Sequence, residues 1–279
     1  MPVITEIPSS SQTTSSQAPA ADSLLALNSL TRLKNCTADG RISWSGPLIV
    51  LLSRTAFMLL AQGLFAIIFL IRGAAHPWFA AAPWWTVYAT LIDFGCLALM
   101  WKFTRREGIS LRALIGPIRL RYGRDFFLGL GLLALICPLF VFGGMLAMRL
   151  IYGAYPVDVF PGILGGRILP FWAVIYSRFV WWIIWSPTEE MTYAGYVLPR
   201  AQALSGRTWL AVLLVGFIWS IQHSFLPFLP EWHNFLWRFL AFVPGCFVLT
   251  LLYLHLRRLG PLIVAHWCMD IFATVMTLQ

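Results

Sequence analysis

Five ionisable side chains stand inside apolar stretches in the second half of the chain: Glu189, Glu190, His223, His266 and Asp270. A carboxylate beside an imidazole can move protons, and several together can hold a cation. A charged residue at the centre of a membrane helix costs roughly 2.5–3.5 kcal/mol on insertion scales. Such residues face inward, away from lipid, and mark function by default. A single buried histidine is more often a satisfied core residue. Five ionisable groups on three late helices are hard to justify by packing alone. His266 and Asp270 are four apart and share one helix face. Glu189 and Glu190 are adjacent, so they point about 100° apart on a helix.

The elements that must position these groups are apolar runs. They span about 47–71, 82–103, 125–148, 171–200, 209–228, 236–255 and 261–276. This predicts an all-α fold, a polytopic transmembrane bundle of about seven spans. Residues 46–279 are read as one membrane domain and 1–45 as a cytoplasmic tail. Met1 to about Ser23 is rich in Ser, Thr, Pro and Ala and is expected to be disordered. It lacks the basic start and apolar core of a secretory signal. A short interfacial helix is expected over Leu24 to Leu33. Within the fourth run, Ser186-Pro187-Thr188-Glu189 reads as a helix start: capping Ser, Pro at the first position, Glu three after the cap. A kinked or broken span is expected there, with Glu189 near mid-membrane, Asp270 at similar depth and His223 nearer the outer side.

Composition supports lipid as the solvent. The chain is 59% hydrophobic and 11% charged, with a mean hydropathy of +0.76, against about 25% charge in a soluble domain. The net charge is +9, but Lys and Arg cluster between apolar runs, which is a topology signal rather than a nucleic-acid footprint. The basic residues alternate: Arg32, Lys34 and Arg41, then Arg72 alone, then seven from Lys102 to Arg124. The positive-inside rule places the N-terminus in the cytoplasm; the expected location is a bacterial or archaeal inner (plasma) membrane. Asp93 and Arg178 are candidates for a structural ion pair or cavity lining, and Arg54 for snorkelling to the cytoplasmic surface. The five cysteines are scattered without paired spacing, as packing residues would be.

Several routes to membrane proteolysis are absent from the sequence. There is no H-E-x-x-H zinc helix, no G-x-S-x-G serine elbow and no G-x-G-D motif. The remaining order is a glutamate pair from Glu189 to Tyr196, then Trp219-Ser220-Ile221-Gln222-His223, then His266-Trp267-Cys268-Met269-Asp270. It resembles the CPBP family of CAAX prenyl proteases and bacteriocin-processing enzymes, which are intramembrane endopeptidases. The resemblance covers about Pro187 to Asp270. One departure stands out: the arginine of the family's Glu-Glu motif is replaced by Ala194.

The resemblance implies hydrolysis of peptide bonds in membrane-associated peptide or protein substrates. Glu189 would be the general base and His223 would position the water. His266 and Asp270 would stabilise the oxyanion, or complete a metal site with Glu189 and His223. The family is described both as metal-dependent and as glutamate-based. Ionised Asp270 accepts but does not donate hydrogen bonds, which tilts the expectation towards a divalent metal such as zinc. The alternative is a non-catalytic polytopic protein, a transporter or partner-binding relative, for which Ala194 is the best support.

Overall fold

A computed structural model describes residues 26–118, 123–153 and 169–277. The expected disordered tail, Met1 to about Ser23, lies outside the described residues. Among them the regular structure is helical, with one isolated bridge, Phe225 to Phe228, and no strand. In lipid this is dictated by the backbone, since only a helix satisfies its own N–H and C=O groups within one segment.

The helices are α1 (Leu30–Ala38), α2 (Ser45–Ile71), α3 (Trp85–Arg106), α4 (Leu111–Ile115), α5 (Arg124–Tyr152) and α6 (Phe171–Phe179). They continue as α7 (Trp181–Glu190), α8 (Leu198–Ser205), α9 (Thr208–Gln222), α10 (Trp232–Leu256) and α11 (Gly260–Thr277). A short turn, Pro77–Ala81, leads into α3. Among the described residues, four helical stretches are long and apolar enough to cross a membrane: Ser45–Ile71, Pro77–Arg106, Arg124–Tyr152 and Trp232–Leu256. Thr208–Gln222 and Gly260–Val275 are apolar but shorter. At 27 residues, α2 is about 40 Å long and exceeds a hydrocarbon core of about 30 Å.

Helical spacing sorts each span into two faces. On α2, Val50, Arg54, Met58 and Ala61 are buried, whereas Leu60, Leu64, Ile67 and Ile71 are exposed. On α3 the buried face carries Tyr88, Ala89, Ile92, Asp93, Cys96 and Met100. An apolar outer face and an inner face holding charge is the arrangement lipid imposes. Close approach of helices relies on small residues. A Cβ on Gly245 of α10 would overlap the Phe140 ring of α5. One on Gly129 of α5 would lie 2.6 Å from Val264 of α11.

Two local expectations shift. The helix expected over Leu24 to Leu33 forms instead as α1, with Ser29 as N-cap accepting from the Arg32 backbone N–H. The helix start expected at Ser186-Pro187 does not occur: Pro187 lies inside α7. The chain bends earlier, at Val180, where φ −119° and ψ −47° separate α6 from α7. Downstream, Met191–Val197 is a π-helical stretch, wholly buried, that carries the rest of the glutamate motif. Such wide turns recur at functional sites.

Near Arg200 a buried cluster ties the N-terminal segment to the bundle. The Arg200 guanidinium pairs with Glu107 and donates to Asn28 Oδ1 at 3.2 Å. Asn28 in turn donates to the Gly195 carbonyl at 2.9 Å.

Candidate active site

Glu189 is the last residue but one of α7, and its side chain is completely buried. Each carboxylate oxygen has its own neighbours. Oε2 accepts from Arg54 Nη2 at 3.2 Å. Oε1 accepts from the Trp219 indole N–H at 2.5 Å and faces His223 Nε2 at 3.5 Å. Trp219 is itself fixed by stacking on Tyr193, centroids 4.9 Å apart and 14° from parallel.

His223 follows the last residue of α9. Its Nδ1 lies 2.8 Å from the Trp219 carbonyl four residues back. A carbonyl only accepts, so Nδ1 carries the hydrogen and the neutral ring presents a bare Nε2 towards Glu189. The ring stacks on Phe242 of α10 at 3.7 Å. Arg238 donates to the backbone carbonyl of His223 at 2.6 Å and also bonds the Leu226 carbonyl. The loop beyond is strapped to α2, where Gln62 donates to the Phe228 carbonyl and accepts its N–H, each at 2.8 Å.

The second histidine has a different partner from the one its spacing suggests. His266 Nδ1 is 3.0 Å from Glu190 Oε1, while Nε2 is 3.8 Å from Asp270 Oδ1. Glu190, not Asp270, is therefore the hydrogen-bond partner that orients this ring. Asp270 Oδ2 accepts from the Ser186 hydroxyl at 2.5 Å. That contact explains why Ser186, read from the sequence as a helix cap, caps nothing.

Glu189, His223, His266 and Asp270 all line one cavity of about 300 Å³. Its walls are largely apolar, with Trp85, Trp181, Trp185, Phe140 and Phe242 among them. Glu190 is not part of the wall; it is completely buried and contacts His266. The tandem glutamates thus serve two different histidines, because adjacent helical positions diverge.

Sequence reasoning missed Arg54 and the partner of Asp93. Arg54 was expected to snorkel; its side chain is instead completely buried and bonds Asp93 Oδ1 at 3.0 Å. Of the two readings offered for Asp93 and Arg178, an ion pair or cavity lining, the first finds Asp93 paired with Arg54 instead. The available signal was that Arg54 lies seven residues past the start of a long apolar run at Pro47, at helical spacing from Val50 and Met58. Trp219 was visible only as the residue four before His223.

The metal expectation does not fit these positions. Among the described residues, no three His, Cys, Asp or Glu side chains are grouped to hold one ion. The Arg54 guanidinium already sits on Glu189, and His266 Nδ1 is turned to Glu190. A divalent cation bound by Glu189 would face that fixed positive charge.

Residues 168–272 match the family of type II CAAX prenyl endopeptidases described as Rce1-like. That stretch holds all five candidate residues, and the match bears out the resemblance carried by the motifs. It supports a CAAX-protease-like hydrolase acting on peptide or protein substrates, and with the long apolar helices an integral membrane protein. No curated protein and no solved structure matches the chain.

Proposed function

We propose that this chain is an intramembrane endopeptidase in which Glu189 and His223 activate water without a metal. The observation that carries the reading is the 3.5 Å gap between Glu189 Oε1 and His223 Nε2. Both atoms are acceptors, and both open on one largely apolar cavity. Two facing acceptors need a donor between them. A water molecule that gives one hydrogen to each satisfies both and has its oxygen lone pairs left for attack.

In this scheme the water oxygen bonds to the scissile carbonyl carbon and its proton passes to Glu189. The carbonyl oxygen becomes an oxyanion, and His266 stabilises it. As an imidazolium, its Nδ1–H bonds Glu190, and its Nε2–H, at 3.8 Å too far from Asp270 for a hydrogen bond, is left for the oxyanion. Collapse of the intermediate breaks the C–N bond, and Glu189 returns the proton to the leaving amine. Asp270, held by Ser186, keeps its carboxylate beside His266 rather than donating to the oxyanion. The apolar walls suit apolar residues flanking the bond. The same reading keeps the N-terminus cytoplasmic, with α6–α8, α9 and α11 completing seven spans.

The test uses the purified full chain in lipid vesicles with membrane-embedded peptides, products being read by mass spectrometry. Cleavage that persists with a strong chelator and vanishes in Glu189→Gln is expected. Cleavage abolished by the chelator and restored by zinc would overturn the metal-free scheme. No cleavage of any membrane peptide would favour the non-catalytic alternative that Ala194 first suggested.

A further inference from the structure

Arg54 is the one cation that touches Glu189 among the described contacts. It comes from α2, far outside the stretch that carries the motifs. Its guanidinium lies 3.9 Å over the Trp185 ring and sends one nitrogen to each of two carboxylates on two other helices: Nη1 to Asp93 Oδ1 at 3.0 Å, Nη2 to Glu189 Oε2 at 3.2 Å. All three charged side chains are completely buried. Arg54 is absent from the cavity wall, whereas Glu189 is part of it. The fork therefore grips Glu189 from behind and leaves Oε1 directed at Trp219 and His223.

We propose that Arg54 is the positioning residue for Glu189: clamped to Asp93, it fixes the carboxylate so that one oxygen is spent on the fork and the other is aimed at the water site. The inference rests on the peptidase reading for its kinetic consequence, but not for its geometry. The physical case is that Glu189 has rotatable bonds and its two oxygens are chemically alike. Without a partner on Oε2 either oxygen can meet Trp219, and the carboxylate can swing away from His223. The planar guanidinium binds both acids in fixed directions, which an ammonium does not. The position in the Glu-Glu motif where an arginine is expected is Ala194, which is also buried. In this chain the cation that reaches the glutamate thus comes from another helix.

Removing Arg54 alone strands Asp93, so the informative protein is Arg54→Gln with Asp93→Asn. The three-residue cluster carries a net charge of −1 before and after this change, so no second unpaired carboxylate is created. Two readouts are taken: kcat and KM for peptide cleavage, and the indole N–H resonance of Trp219, assigned by its loss in Trp219→Phe. The double variant is expected to keep KM within about threefold and to lose kcat about 100-fold, the cost of misplacing a reacting group by about 1 Å. The Trp219 resonance should move towards its position in Glu189→Gln. Arg54→Lys should fall between, because it retains charge without the fork. A double variant with wild-type kcat and an unmoved resonance would show that Arg54 only neutralises Asp93, and would overturn the proposal. If the double variant does not fold, Arg54→Lys decides by the same two readouts, unchanged values again overturning it. If the wild-type chain cleaves nothing, the resonance decides alone: a shift sustains the positioning role while the peptidase reading falls.

Discussion

Replacing Glu189 by Gln changes one atom from acceptor to donor, and the surroundings make that change costly. Oε1 receives the Trp219 N–H at 2.5 Å and Oε2 receives Arg54 Nη2 at 3.2 Å. The amide has only one oxygen. Whichever way it turns, its NH₂ meets a donor, either the indole or the guanidinium. A buried polar group left unsatisfied costs about 1–3 kcal/mol, and Arg54 loses one of its two carboxylates. Relief of one buried charge works in the opposite direction. The donor conflict is local and unavoidable, so the net expectation is a destabilisation of about 1–2 kcal/mol. Cleavage should fall by about 10²–10⁴-fold, the usual worth of a general base. Thermal unfolding of the detergent-purified variant and single-turnover cleavage in vesicles measure the two effects separately. A variant that is as stable as the wild type, or more so, would refute the Arg54 and Trp219 contacts. A variant that cleaves at the wild-type rate would remove Glu189 from the chemistry.

Three further expectations follow from other parts of the structure. Glu190→Gln keeps an acceptor for His266 Nδ1 and should lose activity by about 10-fold or less, whereas Glu190→Ala frees the ring and should lose about 100-fold; equal rates for both variants would contradict the pairing. Gly245→Leu places a side chain where a Cβ alone would meet the Phe140 ring, so stability should fall by about 1–3 kcal/mol or more, read as lost thermal stability in detergent. At Glu231, outside the span, partial burial pushes the carboxyl up, but it accepts from the backbone N–H groups of Asn234 and His233, and these bonds with the His233 and Tyr152 side chains outweigh that and hold it below the usual range. Its stabilisation is therefore present above the unfolded value of about 4.3 and is lost as pH falls through the folded one. Glu231→Ala should cost about 1 kcal/mol near neutrality, with the deficit narrowing in acid; a deficit independent of pH would argue against the cap.

Much of the site was legible because lipid makes charge conspicuous. Glu189, Glu190, His223, His266 and Asp270 stand out in an apolar sequence since each is costly there without a reason. Their order and spacing carried the family resemblance, and apolar run lengths carried the all-α fold. Spacing along one helix could not say who pairs with whom across helices. It suggested Asp270 for His266, but Glu190 reaches that ring because adjacent residues on α7 diverge to different neighbours. It suggested a cap at Ser186, but a hydroxyl inside a continuous helix found Asp270 on α11. It suggested that Arg54 snorkels, a choice set by whether an acid waits inside, and only the packing of α2 against α3 and α7 supplies Asp93 and Glu189. Charge within apolar runs is enough to say which groups must be shielded from lipid. The tertiary structure decided which charge satisfies which, because that depends on the directions of side chains from separate helices.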